Sequence, residues 1–520
     1  MKVRRNLIAA VSFALLIALL GVACAPATQA TAPTSAPPKA PVPQTLTIGQ
    51  GAIPISGDPA FDTNALAMAV YRFVFDTLVT SEQGKLTPAL AESWRSVNNT
   101  TWEFKLRKGV KFHNGEEFNA AAVKFSIERV LNADNKSPWR GRIVDIDRVN
   151  IVDDYTVGVV TKATIGTLVG SLLTIFIVPP KYFQEVGPVK FADAPVGTGP
   201  FKFVSYDKLT HFTVAAVDTS WRGKPTLTQV VWKKISEEST RVAALEAGEL
   251  DVATDIPPEV VDQLKAKKIN VVSVPIAQSN VIQIRPTLNN PLKDKLVRQA
   301  MNYAVDKETI LKSVMGGHGR ILDGQLVGPD AFGYCSDLKP YPYDPKRAKE
   351  LLSQAGYPNG INVKMAGSTG RYPKDKEVAQ AVVAQLGQSG IKVDLTFVEN
   401  VVFSQTSADG TLGPDMYIYG WQYMPALDIS EPSPFFRSSE RRNLLKDPEY
   451  DTLYTRMASA LDTAVREKAA CDLSRWFREN TPVLFLWQFS SINAIQPSVQ
   501  GYVPRSDRTV DLLKVSIQPR

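Results

Sequence analysis

Histidine and cysteine are the scarce residues of this chain, three of each among 520. His113, His211 and His318 stand far apart, and neither HxxxH nor CxxC occurs, so no convergent metal-ligand set is legible. No GxSxG marks a serine nucleophile on a strand-to-helix turn. The Gly-rich VGTGPF at 196–201 lacks the Lys-Ser/Thr of a phosphate loop and leads into the alternating FKFVSY. It reads as a turn before a strand. With these signatures missing, neither an enzyme nor a cofactor is expected, and no nucleotide partner. Dense basic runs are also absent. The formal charge is +7, but Lys2, Arg4 and Arg5 supply three of those charges with no acid beside them. The pI near 9.0 is therefore no footprint of nucleic acid, which is not expected as a partner.

What is present begins with MKVRRN, a positive segment, then LIAAVSFALLIALLGVA, an apolar run too short for a comfortable membrane span. Cys24 follows at once. The run reads as a signal peptide over 1–23, and GVAC resembles the lipobox whose Cys is acylated, although Gly21 stands where that pattern prefers Leu. The expectation is a lipid on Cys24, anchoring an exported protein to the membrane. Residues 25–44, APATQATAPTSAPPKAPVPQ, have almost nothing to bury. With Cys24 they read as an extended tether of at most roughly 60 Å. Cys335 and Cys471 remain. In an oxidising compartment they are candidates for a disulfide, with two buried free thiols as the alternative.

The remaining length is too great for one core and implies two or three domains. Strands and helices alternate, so the class is α/β. INVKMAG, KEVAQAVVAQLGQ and IKVDLTFVE, within 361–399, read as strand, helix and strand, a parallel unit with a right-handed crossover. DMYIYGW at 415–421 reads as another strand. Ligands of open parallel sheets sit beyond the carboxyl ends of strands, which points to the loops STGRYPKD and QYMPALDISEP as walls of a site.

WEFKLRKGVKFHNGEEF at 102–118 places His113 beside Glu116 and Glu117 and invites a catalytic reading. Its alternation instead predicts a strand, WEFKLR, then a second strand KFHNGEEF turning at Asn114-Gly115, then a helix capped by Asn119. This is scaffold. Continued to WEFKLRKGVKFHNGEEFNAAAVKFSIERVL, the stretch closely resembles the extracellular solute-binding proteins of family 5, receptors of ABC importers for peptides, nickel and oligosaccharides. LTPALAESW, VGTGPFKFVSY, PLKDKLVRQAMNYAVDKETI, YPYDPKRAKELLSQAGYP and GRYPKDKEVAQAVVAQL resemble further family segments, in family order.

The resemblance implies a two-lobed, Venus-flytrap-like receptor with an extra inserted domain, acting as a monomer. Lobe one would comprise 45–84, 193–276 and 489–520, the inserted domain 85–192, and lobe two 277–488, with hinges near 276 and 489. Ligand, a peptide first and otherwise an oligosaccharide, metal chelate or other small solute, would be captured between lobes and handed to ABC permease subunits. A sensor reporting to a membrane signalling partner is the other reading. Arg371, in the first candidate loop, is expected to meet a ligand carboxylate, since its planar fork suits one. In GWQYMPALDISEP, peptide receptors of the family place an Asp three residues after the Trp, where Met424 stands here. Counted back from Pro432, Asp428 occupies the family position, with about four residues inserted. Asp428 is therefore expected to anchor a cationic ligand group, with Trp421 and Tyr423 as an aromatic wall.

Overall fold

TLTIGQ forms strand β1 (Thr45–Gln50), in which Leu46 and Ile48 turn inward. Six further strands frame the molecule: β2 (Gln229–Lys234), β3 (Asn270–Ile284), β4 (Ile361–Thr369), β5 (Ile391–Glu399), β6 (Met416–Gln422) and β7 (Val483–Ile495). The computed structural model describes residues 44–286, 290–440, 443 and 445–519; the signal segment, Cys24 and nearly all of the tether lie outside them. Among the described residues no helix is long and apolar enough to cross a membrane.

All seven strands belong to one 11-stranded sheet that is two half-sheets joined at its middle. β3 and β7 are antiparallel and run through both halves. In the first half Asn270–Pro275 faces Ile495–Ser490, and in the second Ser279–Gln283 faces Gln488–Val483, with the register slipping between. The slip follows Pro275, which has no N–H to give the ladder. Beyond β7 in the first half lie Val252–Ala253, β1 and β2, then the strands His211–Ala216 and Phe201–Asp207. β6, β4 and β5 complete the second half beyond β3. β4 and β5 pair in parallel from Ile361 opposite Ile391 to Thr369 opposite Glu399, with helix α1 (Asp375–Gln388) as the crossover. That is the unit expected from the alternation.

Each half has its own apolar core. Leu46, Val230 and Val252 belong to one; Ile282, Met365, Val382 and Leu486 belong to another. A four-stranded antiparallel sheet, in the order 91–98, 101–106, 156–161, 146–153, shares the first core and carries the helix Ala120–Leu131. The hairpin Val79–Glu82 with Lys85–Pro88 turns at Gln83-Gly84, so a boundary between 84 and 85 divides a paired element.

WEFKL lies in a strand, Thr101–Leu106, and Asn119 caps the helix after it as expected. KFHNGEEF is not a strand. Only Lys111 and Glu117 form a bridge, because Phe112 N–H donates to Glu116 O and Gly115 N–H to Phe112 O, closing a turn between them. His113 Nε2 lies 2.9 Å from Gly199 O, and burial lowers its pKa. The Glu116 carboxylate accepts the Lys181 and Tyr182 N–H groups at a helix start. VGTGPF is likewise structural: a Cβ on Gly197 would stand 2.0 Å from Val74 O.

Candidate functional site

A cleft of about 740 Å³ separates the two half-sheets. The first half contributes Glu238, Arg241, Asp255 and Arg508, the four-stranded domain contributes Arg142, and the second half contributes Arg371, Tyr372, Tyr419, Trp421, Glu431 and Phe435. Its floor is the crossing point of β3 and β7, at Ile276, Gln278, Phe489 and Ser490.

The Arg371 loop is built by its own sequence. β4 ends at Thr369, and Gly370 takes φ 73°, a left-handed conformation open to glycine. The buried Asp375 carboxylate then gathers the loop, accepting Ser368 Oγ at 2.9 Å and the N–H groups of Gly370, Arg371 and Tyr372 at 3.0–3.4 Å. Arg371 is thereby aimed into the cleft. Its Nη1 bonds Ser404 Oγ and lies 3.4 Å from Asn400 Oδ1, both on helix α2 (Asn400–Asp409). The rings of Tyr372, Phe403 and Tyr419 surround the guanidinium at 5.3–5.9 Å. Among the described residues no carboxylate pairs with it. A half-buried cation held only by neutral groups has capacity left for an anion.

Trp421 also reaches the cleft. The Trp421 indole N–H donates to Gln283 Oε1 at 3.0 Å, and its ring stacks on Phe435 at 5.2 Å and leans on Tyr419 at 4.7 Å. Only an edge of this aromatic wall is open, since Trp421 is 6% exposed.

The structure does not bring the other two expected residues to the cleft. Tyr423 is fully buried. Its hydroxyl accepts Gly328 N–H and Gln488 Nε2–H and lies 3.3 Å from Asp330 Oδ1, and burial raises its pKa well above that of a free phenol. The insertion expected after Trp421 carries the chain away from the cleft wall, with Met424 still lining it and Leu427 at φ 52°. Asp428 then faces Arg466 on helix α3 (Thr463–Asn480) at 2.7 Å, and its other oxygen accepts Ser430 N–H at 2.7 Å. Its carboxylate lines an adjoining cavity instead.

Sequence reasoning passed over the polar residues of the opposite wall. Asp255 and Arg508, at φ 49° and 63°, form a two-pronged ion pair at 2.9 and 3.1 Å. Burial opposes ionisation of Asp255, but Arg508 and Ser491 outweigh it and lower the pKa. They are 253 positions apart, and no local motif announces such a pair. Glu431 could have been noticed, since it stands three residues after Asp428 in the same loop.

Cys335 and Cys471 are bonded, their Cα atoms 5.3 Å apart, tying the loop beneath Tyr423 to α3. The bond occupies the one candidate cluster of metal-ligating side chains among the described residues, Cys335, Asp337 and Cys471, leaving the cysteines no thiolate to offer.

This chain is similar to known proteins. The pattern of the bacterial extracellular solute-binding proteins, family 5 (middle), matches residues 85–443. The glutathione-binding protein GsiB of Pectobacterium atrosepticum is 29% identical over 476 residues, covering 88% of this chain and 91% of that protein. GsiB of Escherichia coli K12 is 30% identical over 394 residues, covering 73% and 75%. Among solved structures, DppA of Helicobacter pylori in complex with the peptide STSA is 27% identical with a TM-score of 0.73, covering 91% of this chain and 98% of that one. NikA of Brucella suis in complex with Fe(III)-EDTA is 26% identical with a TM-score of 0.79, covering 91% and 100%. CtaP of Listeria monocytogenes, at 21% identity, shares the fold with a TM-score of 0.81 over 91% of this chain and 99% of that one.

Proposed function

We propose a ligand and a mode of capture for a chain that belongs to family 5 of the bacterial extracellular solute-binding proteins. It is a receptor and not an enzyme: it captures a peptide-type solute and serves an ABC importer. The ligand we propose is a short peptide with a free carboxylate, bound to Arg371 and flanked by Trp421. Glutathione, the ligand named for the GsiB relatives, carries two carboxylates and is the first compound to try. The observation that carries this reading is Arg371, a guanidinium with no carboxylate partner among the described residues, aimed by the loop that Asp375 gathers into a cleft of about 740 Å³.

Residues 45–84, 193–276 and 489–520 would move as lobe one, carrying the inserted 85–192, against lobe two, 277–488. The hinges would be the two places where β3 and β7 pass between half-sheets. A ligand that touches both walls favours the closed form by its differential affinity, and that form would dock on permease subunits. A lipid on Cys24 would hold the receptor at the outer face of the membrane, with residues 25–44 as its tether. A thermal-shift screen tests the ligand class, because a solute that binds only the folded protein raises the melting temperature. Glutathione or di- to pentapeptides should raise it while oligosaccharides do not. The reverse result would refute the peptide assignment.

A further inference from the structure

Among the described residues the Arg72 guanidinium makes no hydrogen bond. It stands on the helix Ala65–Val74 with its side chain 18% exposed, and the nearest carboxylate oxygen, Asp507 Oδ2, is 3.9 Å away. Burial lowers its pKa, and Arg505 and Arg222 beside it push the same way against Asp507. Donors taken out of water are costly unless something accepts them. Arg72, Arg222 and Arg505 line a cavity of about 330 Å³ that shares no residue with the ligand cleft. The buried carboxylates in its wall are already engaged. One oxygen of Asp76 accepts the Thr198 hydroxyl and the Trp221 indole N–H at 2.8 and 2.9 Å, and the other lies 3.3 Å from Arg222. Asp507 Oδ1 accepts the Thr509 N–H and hydroxyl at 3.1 and 2.5 Å and lies 3.6 Å from Arg505 Nε. Three guanidinium groups thus face two buried carboxylates. Glu82 and Asp511 also line the cavity, but both are exposed, where water and salt screen them, and Asp511 is paired with Lys514 at 3.1 Å.

A cation in excess, with unused donors and a cavity before it, suits an oxyanion, whose several oxygens can accept from more than one guanidinium at once. We propose that Arg72, Arg222 and Arg505 form a binding site for a small oxyanion of the phosphate class, separate from the ligand cleft. The ion would brace the turn that carries Arg505. In that turn Arg505 N–H donates to Thr509 O and Arg508 N–H to Arg505 O, each at 3.0 Å. Arg508 is the residue that pairs with Asp255 in the cleft wall. An anion at Arg505 therefore bears on that wall through one turn of chain, without touching the solute. The site does not depend on what the cleft binds.

The test titrates inorganic phosphate against the full chain at constant ionic strength, with chloride as the ion replaced. Phosphate should raise the melting temperature saturably, and chloride should not. Arg72→Met removes the donors from a side chain that makes no hydrogen bond, and should weaken phosphate at least tenfold. Arg505→Met, at a side chain 37% exposed, is the second variant and should weaken it as well. Arg371→Ala is the control, because Arg371 offers anions a guanidinium in the cleft; it should bind phosphate as wild type does. Hydrogen exchange locates the ion: phosphate should slow the amides of residues 505–509 in wild type and leave them unchanged in Arg72→Met. Glycerol 3-phosphate forms a second arm. The site stands if either compound binds this way, and the tighter of the two tells a free ion from a phosphate ester. A wild type without a saturable response to either, an Arg72→Met that responds like wild type, or a response lost in Arg371→Ala with protection falling on residues 370–375 would overturn the proposal.

Discussion

Arg371 Nε donates to Tyr372 Oη at 2.9 Å, and the same phenol oxygen accepts the Gly420 N–H at 2.9 Å. Tyr372 thus ties the cleft-facing guanidinium to the end of β6, and Phe489, on which it stacks at 5.6 Å, ties it to the floor of the cleft. Arg371→Ala should weaken the best peptide at least tenfold, about 1.4 kcal/mol. Arg371→Lys should recover only part, lacking the planar fork. Arg371→Ala should also bind the peptide and its C-terminal amide alike. Isothermal titration reads all three, and a loss below tenfold would remove the residue from the site.

The Asp428–Arg466 pair should behave as structure rather than as ligand contact. Both side chains are largely buried, 9% and 11% exposed, so removing one partner strands a charge. Asp428→Asn should cost about 3 kcal/mol in urea unfolding, and Asp428→Asn/Arg466→Met less than the two changes added. Affinity for a short peptide should stay within a few-fold of wild type. A tenfold loss at unchanged stability would return Asp428 to the ligand.

The Cys335–Cys471 bond closes a loop of 136 residues, for which the chain-entropy account allows roughly 4–5 kcal/mol. Cys335→Ser/Cys471→Ser should lower the melting temperature measurably and leave ligand selectivity intact. Alkylation of the oxidised, denatured protein should find neither cysteine free.

Lys307 gives stability a pH dependence of predictable sign. Its ammonium is 4% exposed, with Nζ 2.6 Å from Asn302 O, and burial lowers its pKa from 10.5 to about 7. Between those values the unfolded chain holds more protons than the folded one, so stability rises with pH. The contribution is fully present above 10.5 and gone below about 7. The slope from this one group is at most about 1.4 kcal/mol per pH unit. Denaturant unfolding of wild type minus Lys307→Met, compared between about pH 7.5 and 9.5, should show it.

A lipid on Cys24 should appear as acyl mass on the mature N-terminus when the gene is expressed in a lipoprotein-processing host. Cys24→Ser should release the protein from the membrane fraction; retention of that variant would end the anchoring reading.

The βαβ unit at 361–399, the capped helix at 120–131 and the scaffold nature of His113 were legible from local chemistry: alternation, caps and turn residues act within a few positions. The place of Arg371 at the cleft was legible for a related reason. The rule that ligands sit beyond strand ends needs only a strand and the loop leaving it, and Asp375 fixes that loop from four residues away. The cavity that Asp428 faces was not, because spacing to a Pro says nothing about where a loop carboxylate points. Arg466, 38 residues later on α3, decided that. Cys335 and Cys471 could be paired in sequence only by elimination, and folding brought their Cα atoms to 5.3 Å. The ion pairs that line the cleft were beyond sequence altogether. Arg142 meets Glu431 across 289 positions and Asp255 meets Arg508 across 253. Such partners are chosen by the packing of half-sheets, where burial makes an unpaired charge costly and the nearest opposite charge, however distant in sequence, must answer it.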